Sequence, residues 1–234
     1  MKDFRPSGHI VVALFVGCLL GPPRLVAGSI LSELSASQKS QMKGGEQVVV
    51  IENIEGKTWP RIKIYRFINA SPEQVAAVFF DFENAKSFVP NLFKSEVSNR
   101  VSSCTMDVDY GLDVPIFPDE FYTVRNSLRA LDENSYCFDW KLLRAVLTKD
   151  SEGSFRVEPS DDKSLVCYQN LVTPASNIAV LLRGKAIDQM KETTKALAAQ
   201  IEKEKATNPP GLKRQVSALR AALKEQATPQ LSKY

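Results

Sequence analysis

The sequence predicts an α+β fold, an antiparallel sheet of seven to eight strands with one long helix near the C-terminus, and three observations carry that expectation. From residue 92 to residue 172 the hydrophobic period is mostly two and the connections are short, which favours antiparallel pairing. Residues 177–205 hold the longest helical pattern. Between residues 61 and 97 the period changes twice, giving a strand, two short helices and another strand in succession.

Taken in order, residues 1–28 have the layout of a secretory signal peptide. Lys2 and Arg5 precede an apolar run over residues 10–20, Pro22-Pro23 breaks it, and Ala27 and Gly28 offer a cleavage site. The run is shorter than the ~20 residues a membrane span needs. Phe15-Val16-Gly17-Cys18 also resembles a bacterial lipobox, so export to the periplasm or beyond has a variant in which Cys18 carries a lipid anchor. The expected division is then a signal peptide over 1–28, a domain over 29–205 and a tail over 206–234.

Ile30, Leu31, Leu34 and Met42 mark a short amphipathic helix ended by Gly44-Gly45. The run Val48-Val49-Val50-Ile51 reads as a strand, paired through Glu55-Gly56-Lys57 with a second over residues 58–68. Ile62, Ile64 and Ile68 share one face of that second strand, and Arg66 interrupts it. Turned inward, a guanidinium there could polarise a carbonyl or hold an acidic head; a local bulge turning it to solvent explains it equally well. Ser71 as N-cap, Pro72 at the first helical position and Gln74 at the third form a strong helix start. Val75, Val78, Phe79 and Phe82 fall on one side of that helix, a second turn follows near residues 84–88, and Pro90 stops it.

Beyond it, Cys104, Met106, Val108, Tyr110 and Leu112 alternate with polar residues. So do Tyr122, Val124, Leu128 and Ala130 against Arg125 and Arg129, and Tyr136, Phe138, Trp140 and Leu142 in the next strand. Residues 113–119 form a proline-bracketed connection, and Phe155, Val157 and residues 165–172 complete the sheet before Pro174. Ile187, Met190, Thr194, Leu197 and Ile201 then make one apolar stripe on the long helix, preceded by an all-apolar segment at 178–182. After a break at residues 208–211, Leu212, Val216, Leu219 and Leu223 form a shorter stripe flanked by Lys213, Arg214, Arg220 and Lys224. Such a tail can dock on the domain, pair with a partner helix or rest on an anionic lipid surface.

Composition narrows the chemistry. Of 234 residues, 44% are hydrophobic and 24% charged, and a net charge of +3 is too mild to argue for nucleic acid. The one histidine, His9, lies in the segment expected to be removed, which excludes serine–histidine and cysteine–histidine catalysis and histidine-ligated zinc from the mature chain. Cys104, Cys137 and Cys167 form no CxxC; they are either buried thiols or, for Cys137 and Cys167, a disulfide. No catalytic residue, metal ligand or cofactor is expected.

One resemblance joins these pieces. Asn69-Ala70-Ser71-Pro72-Glu73-Gln74-Val75, then Phe80-Asp81-Phe82-Glu83-Asn84, then Phe88-Val89-Pro90-Asn91 resemble the opening of the START-like (SRPBCC) superfamily, nearest its polyketide cyclase/dehydrase and coenzyme-Q-binding branch. The similarity extends from about residue 47 to about residue 205. It implies a helix-grip fold, a curved antiparallel sheet around the C-terminal helix with a hydrophobic cavity between them. The inward positions expected to bind a ligand are Arg66, Met106, Val108, Tyr110, Tyr122, Val124, Phe138, Trp140, Ile187, Met190 and Thr194. The implied function is non-catalytic binding or transport of a hydrophobic small molecule (a lipid, quinone or polyketide-like compound) in the bacterial envelope; the apolar segment at 178–182, near the cavity mouth in that fold, is either a gate or membrane-touching rim or ordinary packing. Two alternatives stand beside it: a protein-interaction module using groove or tail, and a cyclase- or aromatase-like enzyme depending on Arg66, Tyr110 or Tyr122. The oligomeric state is left open.

Overall fold

The computed structural model describes residues 28–114, 118–176 and 182–227. The expected signal peptide with its cysteine at position 18, most of the apolar segment 178–182 and the last seven residues lie outside the described residues. Among those described, eight strands form one sheet in the spatial order β1-β2-β8-β7-β6-β5-β4-β3, every neighbouring pair antiparallel. They are β1 (Val48–Glu52), β2 (Arg61–Ile68), β3 (Leu92–Arg100), β4 (Thr105–Leu112), β5 (Glu120–Ala130), β6 (Tyr136–Ala145), β7 (Thr148–Ser160) and β8 (Lys163–Pro174). Register shifts in the β3–β4, β5–β6 and β7–β8 ladders add the local bends by which a long sheet curls.

Among the described residues four α-helices accompany the sheet: α1 (Ala36–Lys43), α2 (Pro72–Phe80), α3 (Arg183–Thr207) and α4 (Pro209–Ala227). The start of α2 follows its sequence signals. The Gln74 backbone N–H donates to Ser71 Oγ, and Gln74 Oε1 accepts from the Ser71 N–H. A 3-10 turn at Phe82–Ser87 leads from α2 into β3. The helix α3 lies over the concave face and buries Met190, Thr194, Leu197 and Ile201, the expected stripe. The tail docks as α4 across α2 and places Leu212, Leu219 and Ala222 in the same core as Val75 and Val78. This explains why Ala76 and Ala77 are buried as well as the predicted face of α2: sheet and α3 cover one side, α4 the other.

The convex face carries a second core. Residues 28–43 fold back over β1, β2 and β8, and Ile30, Leu34 and Met42 bury Val48, Tyr65, Leu165 and Cys167. Glu158 anchors this segment by accepting from the Ile30 N–H at 2.9 Å and the Ser29 hydroxyl at 2.8 Å, while Glu33 accepts from the Tyr65 hydroxyl at 2.8 Å and pairs with Arg156. The disulfide drawn between Cys137 and Cys167 is not formed: all three described cysteines are free and buried. Arg156 of β7 stands opposite Cys137 on one side and Cys167 on the other, so a whole strand separates them. Two strand spacings put the Cα atoms ~10 Å apart, beyond the ~7 Å a disulfide spans.

Candidate functional site

The concave face meets different neighbours at its two ends. At one end α2 and α4 press on it, and Phe79 stacks on Phe155 at 4.2 Å between ring centroids and meets Phe138 at 4.8 Å. At the other end, where β4 and β6 stop and β5 and β7 begin, α3 lies across the sheet with a cavity of about 540 Å³ beneath it. That volume lies within the ~300–1,000 Å³ typical of small-molecule pockets. Tyr110, Tyr122, Val124, Trp140, Leu142, Tyr168 and Val172 line its sheet side, and Met190, Thr194 and Leu197 its helical roof. Phe79, Phe82 and Phe155 close the deep end; Val89, Pro90, Leu147 and Leu182 surround the mouth. Gly153 is needed here because a Cβ at that position would lie 2.3 Å from both the Trp140 ring and the Gln169 carbonyl oxygen. Its bare backbone lets the indole settle on the sheet, beside Tyr168 at 5.3 Å.

Polar latches hold the roof. Gln189 Nε2 donates to the Pro90 carbonyl at 2.6 Å, and Asn91 Nδ2 donates to Gln189 Oε1 at 2.9 Å. Across the helix, Gln47 Nε2 donates to the Lys191 carbonyl at 3.1 Å and to the Thr194 hydroxyl. Asn91 has φ of 62°, a left-handed conformation that asparagine tolerates better than most residues, and the Asp113 N–H donates to its carbonyl at 2.8 Å.

Inside, desolvation dominates the electrostatics. Burial raises the pKa of Tyr110, with the nearby Asn126 and Ser95 side chains opposing the shift; burial also raises Tyr122 and pushes Tyr168 up to about 12. Burial likewise raises Glu120, against the Leu147 N–H that donates to its Oε2 at 2.7 Å. Three lining polar atoms have no hydrogen-bond partner among the described residues: Trp59 Nε1, Glu120 Oε1 and Asn126 Nδ2. Asn126 lies near enough to Tyr110 to influence its titration yet makes no hydrogen bond of good geometry through that nitrogen. Among the described residues no cluster of three histidine, cysteine, aspartate or glutamate side chains could hold a metal ion.

No protein-family model matches the sequence, and no curated protein matches it. Solved structures do match the fold. A STAR-related lipid transfer protein fragment from Xanthomonas axonopodis aligns at a TM-score of 0.60 and 15% identity, over 67% of this chain and 93% of that one. The fold is START-like. A START superfamily protein from Mycobacterium smegmatis aligns at 0.52 and 14% identity over 61% of this chain and 97% of that chain. The ZhuI aromatase/cyclase from Streptomyces sp. R1128 aligns at 0.51 and 14% identity over 62% and 94%. The expected curved antiparallel sheet gripping a C-terminal helix is therefore the observed START-like architecture.

Of the expected binding positions, the START-like cavity brings together Tyr110, Tyr122, Val124, Trp140, Met190 and Thr194. Thr194 is already engaged, since its hydroxyl donates to the Lys191 carbonyl and accepts from Gln47. Met106, Val108 and Phe138 face inward as expected but sit in the solid core. Ile187 packs on the flank against Ile62, Ile64 and Met190. Arg66 shares the face of Ile62 and Ile64, without a bulge to turn it, but lies outside the cavity opposite Val166 of the filled end. Its Nε is buried without a partner among the described residues, and desolvation lowers its pKa. The physical reason for these displacements is shared: helix packing fills the space those inward positions would have lined.

Trp59, Glu120, Asn126, Phe155 and Tyr168 line the cavity and were not singled out as ligand positions. For four of them a signal existed, since Phe155 and Tyr168 already lay on expected strands. Glu120 and Asn126 occupy the inward register of β5 with Tyr122, Val124 and Leu128, where a polar residue interrupts an apolar face. Trp59 lay in the strand expected over residues 58–68, on the face opposite Ile62 and Ile64 by alternation, but it precedes β2, so that alternation does not apply to it.

Proposed function

We propose that this chain is a non-catalytic carrier of a hydrophobic small molecule, working in the bacterial cell envelope after removal of residues 1–28. The cavity carries this reading: it is sized for one small molecule and walled by aromatic and aliphatic side chains. Burying ~300 Å² of guest surface at ~25 cal/mol per Å² contributes about 7 kcal/mol. Lost translational and rotational freedom takes back at least ~4 kcal/mol, leaving an affinity suited to pick-up and release.

The mouth supports collection from a lipid surface. Phe93 and Phe121, 49% and 48% exposed, meet edge to face at 5.6 Å over Gly111, on the convex face at the same end of the sheet as the mouth. Val146, 62% exposed, lies in the nearby β6–β7 connection. No helix among the described residues is long and apolar enough to cross a membrane, so contact at this rim is interfacial in the proposal. A cyclase-like activity has less support: of the groups on which that alternative leaned, Tyr110 and Tyr122 line the cavity, but Arg66, the only charged one of the three, lies outside it.

The test is organic extraction and native mass spectrometry of the purified full chain, followed by transfer of the recovered compound between vesicles. The expected result is a co-purifying apolar compound at up to one per chain, whose transfer between vesicles the protein accelerates. Repeatedly empty protein that binds no apolar probe would overturn the carrier reading and favour an interaction module.

A further inference from the structure

Five buried polar side-chain atoms lack a hydrogen-bond partner among the described residues, and three of the five line the cavity. Buried polar groups are normally satisfied, because stranding one forfeits its hydration, so unmet groups converging on a cavity indicate what completes them. Trp59 Nε1 and Asn126 Nδ2 can only donate. Both side chains are more than nine-tenths buried, at 6% and 4% exposed. They are well separated: Asn126 sits mid-sheet on β5, while Trp59 precedes β2 near the mouth on the far side. One oxygen therefore cannot meet both.

Charge supplies the second constraint. Among the described lining residues the only basic side chain is Lys185, which is exposed, and residues 115–117 and 178–181 contain no charged residue. Among the described residues no cation is placed inside to neutralise a phosphate or carboxylate, whose burial unpaired is strongly unfavourable. Among the described lining residues the one interior charge-bearing group is Glu120, which also disfavours a buried anion.

We infer that the buried part of the guest is uncharged and carries carbonyl-type oxygens, one accepting from Asn126 within the cavity and one from Trp59 near the mouth. This rests on the carrier reading and specifies the guest's chemistry. An ester lipid and an alkyl quinone both present such oxygens; a free fatty acid or an acidic phospholipid head does not fit the interior.

The experiment measures displacement of Nile red from the full-length protein at pH 8 by four probes: dioctanoylglycerol, decylbenzoquinone, decylbenzene and dodecanoate below its micellar concentration. At least one carbonyl probe is expected to bind about tenfold tighter than decylbenzene, as one or two net hydrogen bonds would give, with dodecanoate weakest. Whichever carbonyl probe is tighter names the source. Asn126→Leu should weaken the carbonyl probes about tenfold while leaving decylbenzene within about twofold. Asn126→Asp, nearly the same size and without a donor when ionised at pH 8, should also weaken them if the leucine variant misfolds. Equal binding of decylbenzene and both carbonyl probes, or tightest binding by dodecanoate, overturns this inference and leaves the carrier reading standing. Failure of all four probes and of Nile red itself overturns both.

Discussion

The two ends of the concave face are built from the same strands with the same alternation, yet one is solid and the other hollow. Along β4, Met106 and Val108 are core while Tyr110 and Leu112 line the cavity; along β6, Phe138 is core while Trp140 and Leu142 line it. Strand pattern is common to both ends, so it does not explain the difference. What differs is the covering layer. At the solid end α2 is sandwiched beneath α4, and Phe79 and Phe82 drive into the sheet. At the open end the roof of α3 is held by Gln189 and Gln47 latches and supplies side chains too few to fill the space. A cavity in this fold marks where helix packing stops.

The largest expected effect follows from that contrast. Phe138→Ala, in the solid end, should lower unfolding free energy by about 3–5 kcal/mol, whereas Trp140→Ala should cost well under that because its ring already borders empty space. Urea denaturation compares them, and equal losses would erase the distinction. Next, Leu219→Ala removes a fully buried side chain of α4 and should cost about 2–5 kcal/mol; a loss under ~0.5 kcal/mol would show that the tail is not part of the core.

A sharper probe inserts the same bulk on neighbouring strands. Val157→Phe should overpack the solid end and cost about 1–3 kcal/mol. Val172→Phe has the cavity to enter, so it should leave the melting temperature nearly unchanged while weakening apolar-probe binding. Reversal of that order would place the void elsewhere.

The smallest effect separates the two faces by pH. Burial raises the folded-state pKa of Glu120, so the native state holds its proton longer than the unfolded chain, and stability falls as pH climbs from the ordinary glutamate value through the raised one. Glu120→Gln should flatten that decline in a series of thermal melts. On the convex face, the hydrogen bond from Arg125 lowers the pKa of Asp107. Its contribution is present above the ordinary aspartate value and fades as pH falls through the lowered one, so Asp107→Asn should remove stability at neutral pH. Shifts of the same sign in both variants would contradict these environments.

Much of the fold was legible because its signals are local. The capping box at Ser71 and Gln74, the period-two strands and the stripe from Met190 to Ile201 each depend on residues a few positions apart, and each stands where the periodicity predicts. The choice between buried thiols and a disulfide was not legible, because it depended on distance across strands. Cys137 and Cys167 are compatible in chemistry, and only the interposition of β7 separates them.

The site was half legible for the same reason. Alternation sorted inward residues from outward ones, and Tyr110, Tyr122, Val124 and Trp140 reached the cavity wall that way. Alternation is blind to position along the strand, so Met106, Val108 and Phe138 satisfied the same rule and ended in the solid core. The chain alone determined which face of each strand is apolar, because side-chain direction is fixed by the backbone period. Tertiary structure alone decided which stretch of that face stays uncovered, because the void is the remainder left after α2, α4 and the Phe79 and Phe82 rings have taken the rest.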